Sequence, residues 1–173
     1  MKIGQGIDVH RFAGETGDFE IKLGGVSIPH NHKILAHSDG DVVIHALCDA
    51  LLGALSLGDI GLHFPDSDAA FKDADSRDLL REVYSKVKSR HYELGNADIT
   101  IIAEAPRVAN YVIAMRETLS DILSVDISRV SVKATTTEKL GSIGRGEGLE
   151  AQAIVLIREV PVEQSSIGQG AKS

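Results

Sequence analysis

AHSDGDVVIHALCDALLGALSLGDIG, from Ala36 to Gly61, reads as one long capped helix. Ser38 stands where its side chain can accept a hydrogen bond from a free backbone N–H of the first turn, and Asp41 follows three residues later as an acidic partner. Val42, Val43, Ile44, Ala46, Leu47, Ala50, Leu51, Leu52, Ala54 and Leu55 make the segment apolar almost all the way round, which predicts burial. Asp41, His45 and Asp49 recur every fourth residue and form one polar stripe on it. A buried helix tolerates such a stripe only when hydrogen bonds, a metal or a ligand satisfy it. Cys48, the single cysteine, lies on the apolar part and reads as a small core residue; it permits no internal disulfide.

Outward from that helix, strand and helix patterns alternate. Lys2 to His10 reads as a strand, with Gly4 and Gly6 marking a close approach of backbone or ligand. Phe19 to Ile28 reads as a second strand broken by Gly24-Gly25, and Pro29 to Lys33 as loop. Leu57 to Ala74 is a long irregular segment, of a length that usually marks function or mobility. Asp75 or Ser76 caps a helix to about Arg90, with Leu79, Leu80, Val83 and Val87 on its apolar face. Ala97 to Ala103 is a buried strand, Arg107 to Leu123 a third helix, Arg129 to Ala134 a strand, and Leu149 to Val160 a last strand. The order implies an α/β (α+β) fold: a two-layer, ferredoxin-like sandwich with a mixed sheet and helices on one face. Residues 1–159 form one domain, and 160–173 read as a frayed tail.

Composition narrows the function. The 173 residues are 43% hydrophobic and 25% charged, a globular balance. A net charge of −7 argues against a nucleic-acid surface, and the absence of Trp disfavours base-stacking platforms. An acidic chain that handles anions needs metals, backbone amides or a few placed cations. No apolar run is long enough to span a membrane, and the first residues lack signal-peptide character, so a cytoplasmic, bacterial-type protein is expected.

Four features carry chemistry. In a strand, Asp8 and His10 share a face, and His45 of the long helix supplies a third group. Two imidazoles and a carboxylate suit Zn²⁺ with one position left open; the same residues also read as a turn carboxylate and a strand-end histidine. His37, just before the helix cap, is placed to donate to a phosphate at the helix N-terminus, or is simply a solvated loop histidine. In KATTTEK, three hydroxyls follow a strand end, and Glu138 follows them. That set suits phosphate oxygens and Mg²⁺ or Mn²⁺, or makes a Thr-rich turn. Arg145 of GRGEG reads as an anion clamp, or as a surface ion pair with Glu147.

Asp8-Val9-His10, AHSDGDVVIHALCDALLGALSLGDIG, FPDSD, ADSR, TIIAEAPR, VKATTTEKLG and GRGEG, in that order and spacing, resemble the 2-C-methyl-D-erythritol 2,4-cyclodiphosphate synthases from Met1 to about Arg158. The resemblance implies a homotrimer that converts 4-diphosphocytidyl-2-C-methyl-D-erythritol 2-phosphate to the cyclic diphosphate and releases CMP, in non-mevalonate isoprenoid synthesis. It implies one Zn²⁺ per subunit on Asp8, His10 and His45, and a second cation, Mg²⁺ or Mn²⁺, on Glu138. It implies transition-state donors at His37 and Thr136. The substrate would meet Asp8, Val9 and His10, and its erythritol phosphate would meet His37, Ser38, Asp59, Ile60, Gly61, Phe64, Pro65, Asp66, Ser67 and Asp68. The cytidine would meet Ala103, Glu104, Ala105, Pro106, Arg107, Val108 and Ala109 with Thr135, Thr136, Thr137 and Glu138, across a subunit interface. Where the family commonly has an aromatic after KLG, this chain has Ser142, which bears with Arg145 on whether the trimer cavity accepts an isoprenoid diphosphate. Two other readings of the residues remain open: a zinc-dependent phosphohydrolase, and a non-catalytic trimeric module that binds metal or an isoprenoid diphosphate.

Overall fold

The computed structural model describes residues 1–65 and 74–161. Its twelve labelled elements are β1 (Lys2–Phe12), β2 (Phe19–Leu23), β3 (Val26–His30), β4 (Ile34–Leu35), α1 (Val42–Ala54), α2 (Ile60–His63), α3 (Ser76–Lys88), β5 (Tyr92–Ile102), α4 (Val112–Leu123), β6 (Val130–Thr135), α5 (Gly141–Gly144) and β7 (Gly148–Glu159). The main sheet has the order β4-β1-β7-β5-β6, with β2 and β3 forming a separate hairpin. Only β5 and β6 pair in parallel, so the sheet is mixed, as expected. Their crossover carries α4, the connection that parallel neighbours require.

The decisive helix is shorter than its sequence pattern. It starts at Val42, and its cap is Asp41 rather than Ser38. Asp41 accepts from the N–H groups of Val43 and Ile44, and also from Gly24 and Gly25 of the β2–β3 hairpin. One wholly buried carboxylate therefore ends the helix and docks the hairpin on it. At the other end, Leu55 closes the helix and the left-handed Ser56 and Gly58 turn the chain away. The expected broken strand is this hairpin: Gly24 and Gly25 both have positive φ, as a tight two-residue turn demands.

Along α1 every residue except Asp49 and Gly53 is buried. It lies on the inward face of β1, whose alternating positions are Gly4, Gly6, Asp8, His10 and Phe12. A Cβ at Gly4 would sit 1.8 Å from the Ala50 carbonyl, and one at Gly6 2.0 Å from that of Ala46. Missing side chains on the strand thus meet Ala46, Ala50 and Ala54 on the helix. The two backbones press together and run in opposite directions, which brings the first turn of α1 over Asp8 and His10.

The remaining helices complete the layer. Leu79, Leu80, Val83, Tyr84 and Val87 of α3 are buried, as are Met115, Leu119 and Leu123 of α4. Before α4 the expected helix start at Arg107 is replaced by one 3-10 turn at Ala109–Tyr111, where no side chain caps the N-terminus. β5 begins earlier than its apolar run, at Tyr92, with a bulge between Leu94 and Asn96. Outward of the sheet the pattern is different. Ile3, Ile7, Val9 and Ile154 are 72, 50, 53 and 52% exposed, so among the described residues the outward face of β1 and β7 is apolar in part and open. Among the described residues, no helix is long and apolar enough to cross a membrane.

Candidate metal centre and active site

Asp8, His10 and His45 meet where β1 passes under the first turn of α1. His45 Nδ1 lies 2.9 Å from Asp8 Oδ2 and 3.3 Å from His10 Nε2, and Asp8 Oδ2 lies 3.2 Å from His10 Nε2. Ligands about 2.0–2.1 Å from a tetrahedral ion are separated by roughly 3.3 Å along each edge. The three atoms therefore form one face of such a tetrahedron with little adjustment. Their side chains are 24, 19 and 11% exposed, so the cluster is partly buried and still reachable from solvent. The triad is the one group of this kind among the described residues.

The other nitrogen of His45 fixes the ring. Its Nε2 lies 2.9 Å from the Ser76 hydroxyl and 3.3 Å from that of Ser38. Ser76 in turn donates its hydroxyl proton to Asp39 Oδ1 at 2.5 Å and its N–H to Asp39 Oδ2 at 3.1 Å. This chain of bonds leaves Nε2 as the N–H and frees Nδ1 for a metal. Ser76 and Asp39 were not visible as site residues in the sequence. The available signal was the redundancy of Asp75-Ser76 as cap: Asp75 caps α3 through the Arg77 N–H, so Ser76 is released for His45.

Charge follows the geometry. Burial disfavours an ionised Asp8, but the His45 hydrogen bond and the charges of His10 and His45 outweigh it and hold the carboxyl below its usual range. Burial likewise disfavours a protonated His45, yet the Asp8 hydrogen bond and charge raise its pKa. In the metal-free chain the pair shares a proton where a cation fits.

The other stripe residues have structural tasks. Asp41 is the cap already described, and burial pushes its carboxyl up against the N–H bonds it accepts. It takes the Val43 and Ile44 N–H groups of the α1 N-terminus, so those two donors are satisfied from within the chain; His37 itself is exposed. Asp49, one turn after His45, accepts from Ile60 N–H at 2.7 Å, and Asp59 caps α2 through Leu62 N–H. The Asp59-Ile60-Gly61 turn is thus tied to the metal-bearing helix. Phe64 is buried and Pro65 exposed. Asp66, Ser67 and Asp68 lie outside the described residues, as do residues 162–173 of the expected tail.

The Thr-rich loop is a second cluster. Thr136 Oγ1 donates to Glu138 Oε1 at 2.7 Å, just past the end of β6. Glu104 reaches the same loop from the end of β5 through the N–H groups of Thr137 and Lys139. Ala103 donates its N–H to Thr135, and Ala105, Arg107 and Ala109 are exposed around the partly buried Pro106 and buried Val108. Arg145 pairs with Glu147 at 2.6 Å on the surface, and Ser142 stands exposed on α5.

The register sets the two clusters at the same end of the sheet but not together. His10 faces Leu149, Glu150 faces Ile102, and Ile102 faces Thr135. From β1 to β6 is three strand spacings, roughly 14 Å.

The model of the YgbB family matches residues 1–158. A 2-C-methyl-D-erythritol 2,4-cyclodiphosphate synthase of Acinetobacter baumannii is 60% identical over 157 residues, covering 91% of this chain and 96% of the relative. A solved structure of Plasmodium falciparum IspF in complex with CDP superposes with a TM-score of 0.80 at 37% identity, over 91% of this chain and 96% of that one. The bifunctional IspDF of Campylobacter jejuni superposes at 0.86 with 43% identity; 92% of this chain covers 42% of that larger one.

Proposed function

The chain belongs to the YgbB family, and on that premise we propose that it cyclises 4-diphosphocytidyl-2-C-methyl-D-erythritol 2-phosphate to 2-C-methyl-D-erythritol 2,4-cyclodiphosphate with release of CMP, a lyase step in isoprenoid precursor synthesis. The observation that carries it is the partly solvent-accessible Asp8–His10–His45 triad at tetrahedral edge spacing.

A phosphate oxygen of the substrate bonds to the β-phosphorus while the bond from that phosphorus to the CMP oxygen breaks, and CMP leaves with the electron pair. The protein supplies no nucleophile; its work is to fold a polyanion until both ends meet, a step to which preorganisation contributes up to about 7–11 kcal/mol. Zn²⁺ on Asp8, His10 and His45, and Mg²⁺ or Mn²⁺ on Glu138, would supply Lewis-acid charge that offsets phosphate repulsion. His37 and the Thr136 hydroxyl are assigned as donors to the oxygens of the transferring group. The Asp59–Gly61 turn, tied by Asp49, is assigned to the erythritol phosphate together with His37, Ser38 and residues Phe64 to Asp68. Ala103 to Ala109 form the cytidine wall beside Thr135 to Glu138.

One subunit does not bring these parts together. The roughly 14 Å between β1 and β6, and the uncovered apolar sheet face, support a homotrimer in which the zinc ligands of one copy meet the Thr136–Glu138 loop of the next. The same reading puts the protein in the cytoplasm and makes Arg145 and Ser142 the residues that decide whether the trimer cavity takes an isoprenoid diphosphate.

Phosphorus NMR of substrate turnover tests the proposal. Cyclic diphosphate and CMP are expected, with activity lost to EDTA and zinc lost from His45→Ala. Linear phosphates would mean hydrolysis, and stoichiometric zinc in His45→Ala would overturn the ligand set.

A further inference from the structure

Glu104 lies in the loop after β5, and its carboxylate is turned away from that loop toward the loop after β6. Oε1 accepts the N–H of Thr137 at 3.0 Å and that of Lys139 at 3.2 Å. The Thr137 hydroxyl stands 3.2 Å from the same oxygen and 2.8 Å from the Leu140 carbonyl, with one proton to give. Between those amides the backbone is unusual: Glu138 and Lys139 both have left-handed φ, +53° and +64°, though neither is glycine. Such a pair persists only where its surroundings over-determine it. A second restraint comes from the opposite side. A Cβ at Gly144 would lie 2.1 Å from the Lys139 carbonyl carbon, so α5 closes directly on that backbone.

We infer that Glu104 is a positioning residue: it latches the turn 136–139 in its left-handed conformation, so that the Thr136 hydroxyl and the Glu138 carboxylate are presented side by side to the diphosphate. The inference rests on the proposed cyclisation for what the turn is positioned to do. The latch itself rests on the bonds above. Charged acceptors strengthen N–H bonds roughly twofold over neutral ones, and the Lys139 and Thr137 amides in return hold the Glu104 carboxyl below its ordinary range. A glutamate whose only task was to touch the nucleobase would have no reason to ligate two amides of the neighbouring loop.

Two variants separate the roles. Glu104→Gln keeps a carbonyl oxygen for both amides, and Glu104→Ala removes it. Amide hydrogen exchange on the full-length protein, without substrate, reads the latch directly. Thr137 and Lys139 should exchange roughly tenfold faster or more in Glu104→Ala, with most of the protection regained in Glu104→Gln. In turnover, Glu104→Ala should lose roughly 10- to 100-fold in kcat, the cost of misplacing groups by about an ångström. It should also need more Mg²⁺ for half-maximal rate, with zinc content little changed and any rise in KM smaller than the fall in kcat. Unaltered exchange in Glu104→Ala overturns the latch. So does a Glu104→Ala defect confined to KM and CMP affinity, which would make the residue a nucleotide contact. A wild-type chain that forms no cyclic product would sink the proposed activity, while the exchange result would still decide the latch.

Discussion

His45 has one ring nitrogen on the Asp8–His10 side and the other against Ser76, and each contact sets the other's role. A metal must displace the proton that the Asp8–His45 pair shares. In the metal-free chain, the stability from the raised His45 pKa is complete below the ordinary imidazole value and lost as pH rises through the raised one. That from the lowered Asp8 pKa is present above the ordinary carboxylate value and lost as pH falls through the lowered one. Zinc uptake therefore should release about one proton, and affinity should fall roughly tenfold per pH unit once His45 is protonated. Calorimetric titration in buffers of different ionisation enthalpy measures this; a zinc affinity flat from about pH 8 down to pH 6 would contradict it. Removing the hydroxyl in Ser76→Ala should leave the ring free to turn and weaken zinc binding roughly 10- to 100-fold. Competition against a chelator gives the number, and an unchanged dissociation constant would mean that Ser76 serves packing alone.

Gly4 and Gly6 set how closely β1 and α1 approach, and that spacing places His45 over Asp8 and His10. Gly6→Ala should push the helix away from the strand, costing about 1–3 kcal/mol as overpacking does, and should also lower zinc occupancy. Gly14→Ala is the matched control, because a Cβ there meets nothing within 4 Å. Thermal unfolding and metal analysis of the pair give the comparison. A Gly6→Ala protein with full zinc would show that the triad tolerates a displaced helix. The hairpin is held by a different device: Asp41 gathers N–H groups from α1 and from Gly24 and Gly25, so one carboxylate couples two elements distant in sequence.

Across the whole molecule the sheet has two unlike faces. One is sealed by α1, α3 and α4; the other exposes Ile3, Ile7, Val9 and Ile154. A charge at its centre, Ile154→Arg, should yield monomers that still bind zinc, because all three ligands come from one chain. Their turnover should be lost, because in the proposed trimer the Thr136 and Glu138 of a neighbour complete the site. Sedimentation measured alongside zinc content and rate tests this, and a fully active monomer would end the interface reading.

Much of this was legible in the residues. Strand alternation put Asp8 and His10 on one face, helical apolarity marked the segment around His45 as buried, and ordered motifs gave the family. Local pattern did not fix where that helix begins, because Ser38 with Asp41 as its acidic partner reads as a cap; in the fold Asp41 takes that place, and its carboxylate also binds Gly24 and Gly25, brought in from a distant hairpin. Nor could it show that Ser76 and Asp39 orient His45, or that Glu104 grips the loop after β6, since these contacts join residues 31, 37 and 33 positions apart. Sequence determined which faces are apolar and which residue types can bind a cation, because both follow from side-chain chemistry and period. The tertiary structure alone decided which polar groups satisfy one another, because buried hydrogen bonds are chosen among whatever the packed backbones bring within reach.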